Sequence, residues 1–177
     1  MCKSCETKSV YEFTNQRKLC KDCFTHWFEK KFLYTIRKFQ MISKGDSIGY
    51  GNKKDFRNVV LIELLKILGE RAPITINNKK FTKKAIADTT DIIALGIMSD
   101  LVKGNLKQKF EPVDGKIIRP LYLFLDIEVL LYAKLRLLKF NNIKKEKDKW
   151  FDFVEDLEKK HPEIKRGIIN SYLELFC

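Results

Sequence analysis

Four of the chain's five cysteines fall within its first 23 residues, as Cys2-Lys3-Ser4-Cys5 and Cys20-Lys21-Asp22-Cys23. A C-x-x-C turn folds the backbone so that both sulfurs face one point, and two such turns supply the four thiolates of a tetrahedral structural Zn²⁺. Between the pairs, Val10, Tyr11 and Phe13 precede Asn15-Gln16-Arg17-Lys18. That order predicts a strand, a turn and a second short strand, the layout of a zinc ribbon or treble-clef knuckle. The same sulfurs could hold iron, close two disulfides or form a redox centre. No signal-peptide pattern and no βαβ pattern accompanies them, which argues against the last two. His26 could stand in for one thiolate, but four cysteines already fill the site, and Cys177 is isolated from them.

Other reactive groups are sparse. His26 and His161 are the only histidines, and no Ser/His/Asp arrangement, H-E-x-x-H or Walker lysine motif is recognisable. Lys and Arg number 35 against 23 acids, for a net charge of +12. That balance favours a polyanionic partner, although a lysine-rich genome would yield the same bias. At 177 residues, 45% of them hydrophobic, the chain can bury one core beside a small metal-nucleated module. No apolar run is long enough to span a bilayer; the expectation is a cytoplasmic protein with no membrane partner.

The elements that must position these groups follow from periodicity. Phe24, Phe28, Phe32, Ile36 and Phe39 share one face of a helix predicted over 24–42. Lys30 and Arg37 lie a heptad apart on its far face, and Lys31 and Lys38 on one flank. With Arg17 and Lys18 they form a candidate phosphate-contacting surface. Next, 47–52 reads as a strand running into a turn with Gly49 and Gly51, and 54–68 as a helix buried nearly all round. Strand, glycine turn and buried helix open an α/β nucleotide-binding fold. Asp46, Asp55, Asp88 and Asp91 are the carboxylates expected nearest that turn, each equally at home as a cap. Short strands are expected over 74–81, 83–87 and 116–119. Helices are expected over 92–102, capped by Thr89-Thr90-Asp91, and over 126–140, 150–161 and 164–176.

The order of pieces resembles a known family. The first C-x-x-C pair, R-K-L-C-K-D-C-F, the helix F-E-K-K-F-L-Y-T-I-R-K-F-Q-M-I and the G-D-S-I strand are similar to the N-terminal part of the TtcA/TtuA-type tRNA 2-thiolation enzymes. Later, D-T-T-D-I-I-A-L-G-I-M-S-D-L-V-K-G-N resembles that family's D-D-E-A helix. R-P-L-Y-L-F-L-D-I-E-V-L-L-Y-A resembles its R-P-L segment followed by an E-V-x-x-Y-A helix, and F-V-E-D-L-E-K-K-H-P-E-I-K-R-G-I-I-N-S-Y its closing helices. The resemblance implies a PP-loop ATP pyrophosphatase fold, in which an S-G-G-K-D-S loop holds the pyrophosphate and a cysteine-held iron–sulfur cluster delivers sulfur to a uridine.

This chain departs from that pattern where the chemistry would sit. In place of S-G-G-K-D-S stands Gly51-Asn52-Lys53-Lys54-Asp55-Phe56, so Lys54 and Asp55 match while the serines and the glycine pair do not. Asn and Lys there obstruct close backbone approach to a phosphate. No cysteine lies between Cys23 and Cys177, and the family's longer segment between Arg71 and Asp88 is reduced to a short crossing. The expected architecture is an α/β fold: a zinc knuckle (1–24), a basic connecting helix (25–44) and a reduced PP-loop core, of the adenine nucleotide alpha hydrolase type, with C-terminal helices (45–177). Expected cofactors are structural Zn²⁺, with neither ATP nor an iron–sulfur cluster. Expected partners are tRNA or other structured RNA, and an active PP-loop paralogue or a second copy. The expected function is a non-catalytic tRNA-binding or auxiliary subunit. A residual ATP-dependent tRNA-modifying enzyme and a zinc-ribbon nucleic-acid-binding regulator are the alternatives.

Overall fold

In the computed structural model, residues 1–104, 110–142 and 149–176 are described. Residues 105–109 and 143–148, the Trp150 side chain and Cys177 lie outside that range. The chain opens on a two-stranded antiparallel hairpin, β1 (Tyr11–Glu12) and β2 (Lys18–Leu19). Asn15 Oδ1 accepts the Arg17 N–H at 3.2 Å, and Gln16 takes the left-handed conformation at φ 63°. This is the turn that Asn15-Gln16 predicted.

Helix α1 (Lys21–Lys38) buries Phe24, Phe28, Phe32 and Ile36, the stripe read from the sequence. It begins three residues earlier than predicted because Cys20 is its N-cap, and it ends earlier because Gln40 turns left-handed at φ 47°. Asp22 in the first turn and Arg37 and Lys38 in the last complement the helix dipole.

The core sheet has the order β4-β3-β5-β7-β6, formed by β3 (Ser47–Tyr50), β4 (Thr75–Ile76), β5 (Lys83–Ala85), β6 (Val113–Asp114) and β7 (Ile117–Ile118). Strands β4, β3, β5 and β7 are parallel, and β6 closes onto β7 as an antiparallel hairpin turned at Gly115, φ 56°. Strand β6 was not expected; two residues carry no periodicity to read. Helix α2 (Phe56–Arg71) follows β3, with Val60, Leu61, Leu64, Leu65 and Leu68 buried. Its N-cap Asp55 accepts the Asn58 N–H at 3.0 Å.

Helix α3 (Thr90–Val102) starts at the threonine pair, and α4 (Asp126–Leu135) follows the R-P-L segment. The latter stops five residues short of its predicted end because Leu137 adopts φ 55°. Helices α5 (Lys149–Lys160) and α6 (Ile164–Phe176) pack together against α3. One cluster of buried residues runs from Cys2 and Leu19 through the α1 phenylalanines, Ile48, Ala85, Ile118, Leu61, Leu65 and Val129. A smaller one joins Ile93 and Ile97 of α3 to Ile169 and Tyr172 of α6. No described helix is long and apolar enough to cross a membrane.

Candidate functional site

The Sγ atoms of Cys2, Cys5, Cys20 and Cys23 all lie within 4.8 Å of one another. The first pair sits in a tight turn where Cys2 N–H donates to Thr7 O at 2.8 Å and Glu6 N–H to Cys2 O at 3.0 Å. A further bond from Lys3 N–H to Lys18 O, 3.0 Å, ties that turn to β2. The second pair opens α1. Cys5 and Cys20 Sγ are 3.3 Å apart, and Cys5 and Cys23 Sγ 3.7 Å. A disulfide needs about 2.05 Å, whereas four sulfurs at about 2.3 Å from one tetrahedral ion are separated by about 3.8 Å. The donor set and spacing therefore suit a single metal ion.

Electrostatics point the same way. The Thr7 hydroxyl and the Cys23 N–H hold the Cys20 thiol down at about 6, while the neighbouring sulfurs of Cys20 and Cys5 push Cys23 up to about 12. Four thiolates cannot share this space unless a cation compensates them. His26 is exposed and does not join the thiol group. It lines a cleft of about 360 Å³ between α1 and the end of α4, with Lys21, Glu29 and Arg136.

Behind the thiols, Tyr11, Phe13, Phe24 and Trp27 pack ring against ring at centroid distances of 4.8–6.3 Å. They lead to Glu128, whose burial sequence reasoning missed. This carboxylate, 0% exposed, accepts from Lys31 Nζ at 2.7 Å, from the Leu125 N–H at 3.0 Å, and from Tyr11 Oη and Arg166 Nη2 at 3.4 Å each. A buried carboxylate persists only with such partners. The residue is the glutamate of the E-V-x-x-Y-A segment, and the tyrosine of that segment, Tyr132, donates to Glu29 on α1 at 3.1 Å.

Lys31 therefore departs from the expectation that it projects from the helix. Its ammonium points inward, over the Trp27 and Phe124 rings at 4.8 and 4.6 Å, and burial holds its pKa below the usual lysine value. The other expected cations divide. Arg17, Lys30, Arg37 and Lys38 are exposed, whereas Lys18 is half-buried and paired with Glu12 at 3.2 Å.

At the far end of β3 lies the glycine turn. Gly51 has room for no ordinary side chain without pressing on Asn58, since a Cβ would sit 3.1 Å from Asn58 Oδ1. The Asn58 amide donates to Asp55 Oδ2 at 2.8 Å. Asn78 Oδ1 takes the Tyr50 N–H at 2.6 Å, and Asn78 Nδ2 reaches Asn52 Oδ1 at 3.3 Å. Lys54 is exposed, and its carbonyl accepts the Asn141 N–H at 2.7 Å.

Beside the turn is a cavity of about 300 Å³ lined by Gly51, Lys53, Asp55, Arg57, Lys84 and Asp88. It stands outside the carboxyl ends of β3 and β5, where strand order reverses, the usual ligand position in an open α/β sheet. Arg57 is clamped by both Asp126 oxygens, one at 2.6 Å from Nε. Thr89 Oγ1 donates to the same carboxylate at 2.7 Å. Asp88 pairs with Arg119 at 3.2 Å, and Asp91 with Lys165 at 2.6 Å. Asp46 lies at the opposite end of the strand, bonded to Ser43 N–H, Lys83 and Thr82. Gly49 does not belong to the loop at all: a Cβ there would meet the Phe81 ring at 2.5 Å.

No protein-family model matches the chain. Cytoplasmic tRNA 2-thiolation protein 1 of Candida glabrata is 27% identical over 125 residues, 69% of this chain and 33% of the relative. The protein of the same name from Meyerozyma guilliermondii is 39% identical over 57 residues, 32% of this chain and 15% of that protein. The chain thus spans a third or less of the curated relatives it matches. Among solved structures, the U34-tRNA thiolase NcsA from Methanococcus maripaludis with its [4Fe-4S] cluster superposes at a TM-score of 0.80 with 18% identity, over 98% of this chain and 86% of that one. That likeness extends to the parallel sheet and to the helices that close the chain. The sequence matches and the fold likeness thus point the same way, to tRNA 2-thiolation proteins.

Proposed function

We propose that the chain is a tRNA-binding, non-catalytic member of the PP-loop tRNA 2-thiolation family, acting as an auxiliary subunit beside an active PP-loop paralogue or a second copy. The observation that carries this is at the glycine turn, where the polar side chains of Asn58, Asn78 and Arg57 are taken up by the protein itself. Asn58 lies against Gly51 while bonded to Asp55, Asn78 takes the Tyr50 N–H, and Arg57 is committed to Asp126. A pyrophosphate needs close backbone approach there, and Asn52 and Lys53 carry side chains where a glycine pair would permit it. The four thiols carry Zn²⁺ in a structural role, four-coordinate and closed. A [4Fe-4S] cluster, in which each thiolate binds a different iron and sulfides bridge the irons, calls for wider sulfur spacing than 3.3–3.7 Å. The zinc knuckle (1–24) and connecting helix (25–44) present Arg17, Lys30, Arg37 and Lys38 to tRNA phosphates. The core (45–177) supplies the rigid base, and the compartment is the cytoplasm named for the relatives.

Calorimetry with Mg-ATP and anisotropy with labelled tRNA test the proposal together. Expected are no heat with ATP and saturable tRNA binding. Lys30→Glu with Arg37→Glu should weaken that binding about tenfold and flatten its salt dependence. Saturable heat would instead favour a residual ATP-dependent enzyme working in the 300 Å³ cavity. Preference for duplex DNA over tRNA would favour a zinc-ribbon regulator.

A further inference from the structure

Parallel sheets are ordinarily covered on both faces, and this one is not treated alike on its two sides. Ile48, Ala85 and Ile118 face the core and are fully buried. The register places Gly49, Lys84 and Ile117 side by side on the other face, together with Ser47 and Thr75 one pair further along. There Lys84 and Thr75 are exposed. What rests on this face is the loop 77–82, which must run the length of β3 to join β4 to β5. It is pinned along the way. Asn77 Oδ1 accepts the Lys79 N–H at 2.9 Å, and Asn78 holds Tyr50 and Asn52. Ser47 Oγ donates to Lys80 O at 2.9 Å, and Thr82 Oγ1 accepts the Ser47 N–H at 3.1 Å.

The pinned loop seats the Phe81 ring on Gly49, so that a Cβ at 49 would lie 2.5 Å from the ring and displace it, yet leaves Phe81 41% exposed. Around it stand Lys79, Lys80 and Lys84, and across the Asn52–Asn78 contact lie Lys53 and Lys54; all five lysines are exposed. The nearest carboxylate at the foot of the face, Asp46, is already engaged by Lys83 at 3.0 Å. Asp114, opposite Ile117, is half-buried. The face thus presents an aromatic ring fixed on a sheet and flanked by exposed lysines. That is what single-stranded nucleic acid requires: a stacking plane for a base and ammonium groups for the flanking phosphates.

We infer that the open sheet face is a second RNA-contacting surface, on which Phe81 stacks against an unpaired base while Lys79, Lys80 and Lys84 hold the adjoining phosphates. This rests on the reading of the chain as an RNA binder, and it assigns the contact to a surface separate from α1. Gly49 is then a seat for the ring and not a relic of a phosphate loop.

Anisotropy with labelled tRNA and with a short labelled oligouridine tests it on the whole chain. Variants are Phe81→Ala, Phe81→Trp, Lys79→Ala with Lys80→Ala, and the α1 pair Lys30→Glu with Arg37→Glu, each checked by circular dichroism. Expected for Phe81→Ala is about a tenfold loss for both probes with an unchanged salt slope, restored by Phe81→Trp. Expected for the lysine pair is a salt slope reduced by about two. If the face variants bind both probes like wild type while the α1 variant loses tRNA, this inference is overturned and the proposed function stands. If wild type binds neither probe, both fall. If the lysine pair matters but Phe81→Ala does not, the stacking seat is wrong and the face is only a charged patch.

Discussion

The two ends of the chain's chemistry are held together in opposite ways. At the thiol end, four like groups converge within 4.8 Å, and their pKa values are driven apart, Cys20 down to about 6 and Cys23 up to about 12. Such a cluster is complete only with a cation among its sulfurs. At the glycine turn, several polar side chains find protein partners. Asn58 meets Asp55, Asn78 meets Tyr50 and Asn52, and Arg57 meets Asp126. The first site gathers donors for a cation; the second ties its polar side chains to the protein itself.

Metal removal is the strongest way to break that contrast. Structural zinc in finger peptides is worth roughly 10–16 kcal/mol, so a chelator or Cys20→Ser should unfold residues 1–20. The sheet and α2, which contribute no ligand to the thiol group, should survive. Trp27, packed on Tyr11 and Phe13, reports the loss as a fluorescence change, while helical circular dichroism stays largely intact. A single cooperative loss of both signals would show that the two ends are one folding unit.

Glu128 is the joint between them. Replacing it with Ala leaves Lys31, 15% exposed, and Arg166 without their buried counter-charge. Breaking one side of a buried pair costs about 3–5 kcal/mol, to be read as a lower urea midpoint. Glu128→Gln should cost less, because it keeps an acceptor for the Leu125 N–H and the Tyr11 hydroxyl. Equal losses in the two variants would assign the stability to packing instead of charge.

Smaller effects probe the glycine turn. Asn78→Ala removes the acceptor of the Tyr50 N–H and the partner of Asn52, worth about 1 kcal/mol. Hydrogen exchange at Tyr50 should accelerate without a change at Cys20 or Val10. No change at Tyr50 would mean that water replaces Asn78 freely and that the loop is not clasped.

These tests also trace what could be read beforehand. The four cysteines and the i, i+4 phenylalanines of α1 were legible because metal spacing and helical period are local properties. So was Asp55 as the end of a strand-turn-helix unit. Lys31 was misjudged because its partner lies 97 residues away, and no pattern near position 31 signals a buried carboxylate in α4. Glu128 itself had a local clue, its place three residues into α4, where it closes a capping bond on the Leu125 N–H. Gly49 looked like a phosphate-loop glycine because sequence shows a missing side chain but not what fills the space, here Phe81. Leu137 ends α4 with no Gly or Pro to announce it.

The smallest expected effect lies at the foot of β3, where Asp46 holds Ser43, Thr82 and Lys83 together. Burial raises its pKa, but the Ser43 N–H, Lys83 and Thr82 outweigh that and leave it below the ordinary aspartate value. A carboxylate with a depressed folded pKa stabilises the fold above its unfolded value and loses that contribution as pH falls through the folded one. Wild type should therefore exceed Asp46→Asn in urea stability near neutrality, with the gap closing only below about pH 4. A gap that persists in acid would mean that shape and hydrogen bonding, not charge, hold this end of the strand. The loop carrying Phe81 would then be anchored at its foot, as at its tip, by neutral contacts alone.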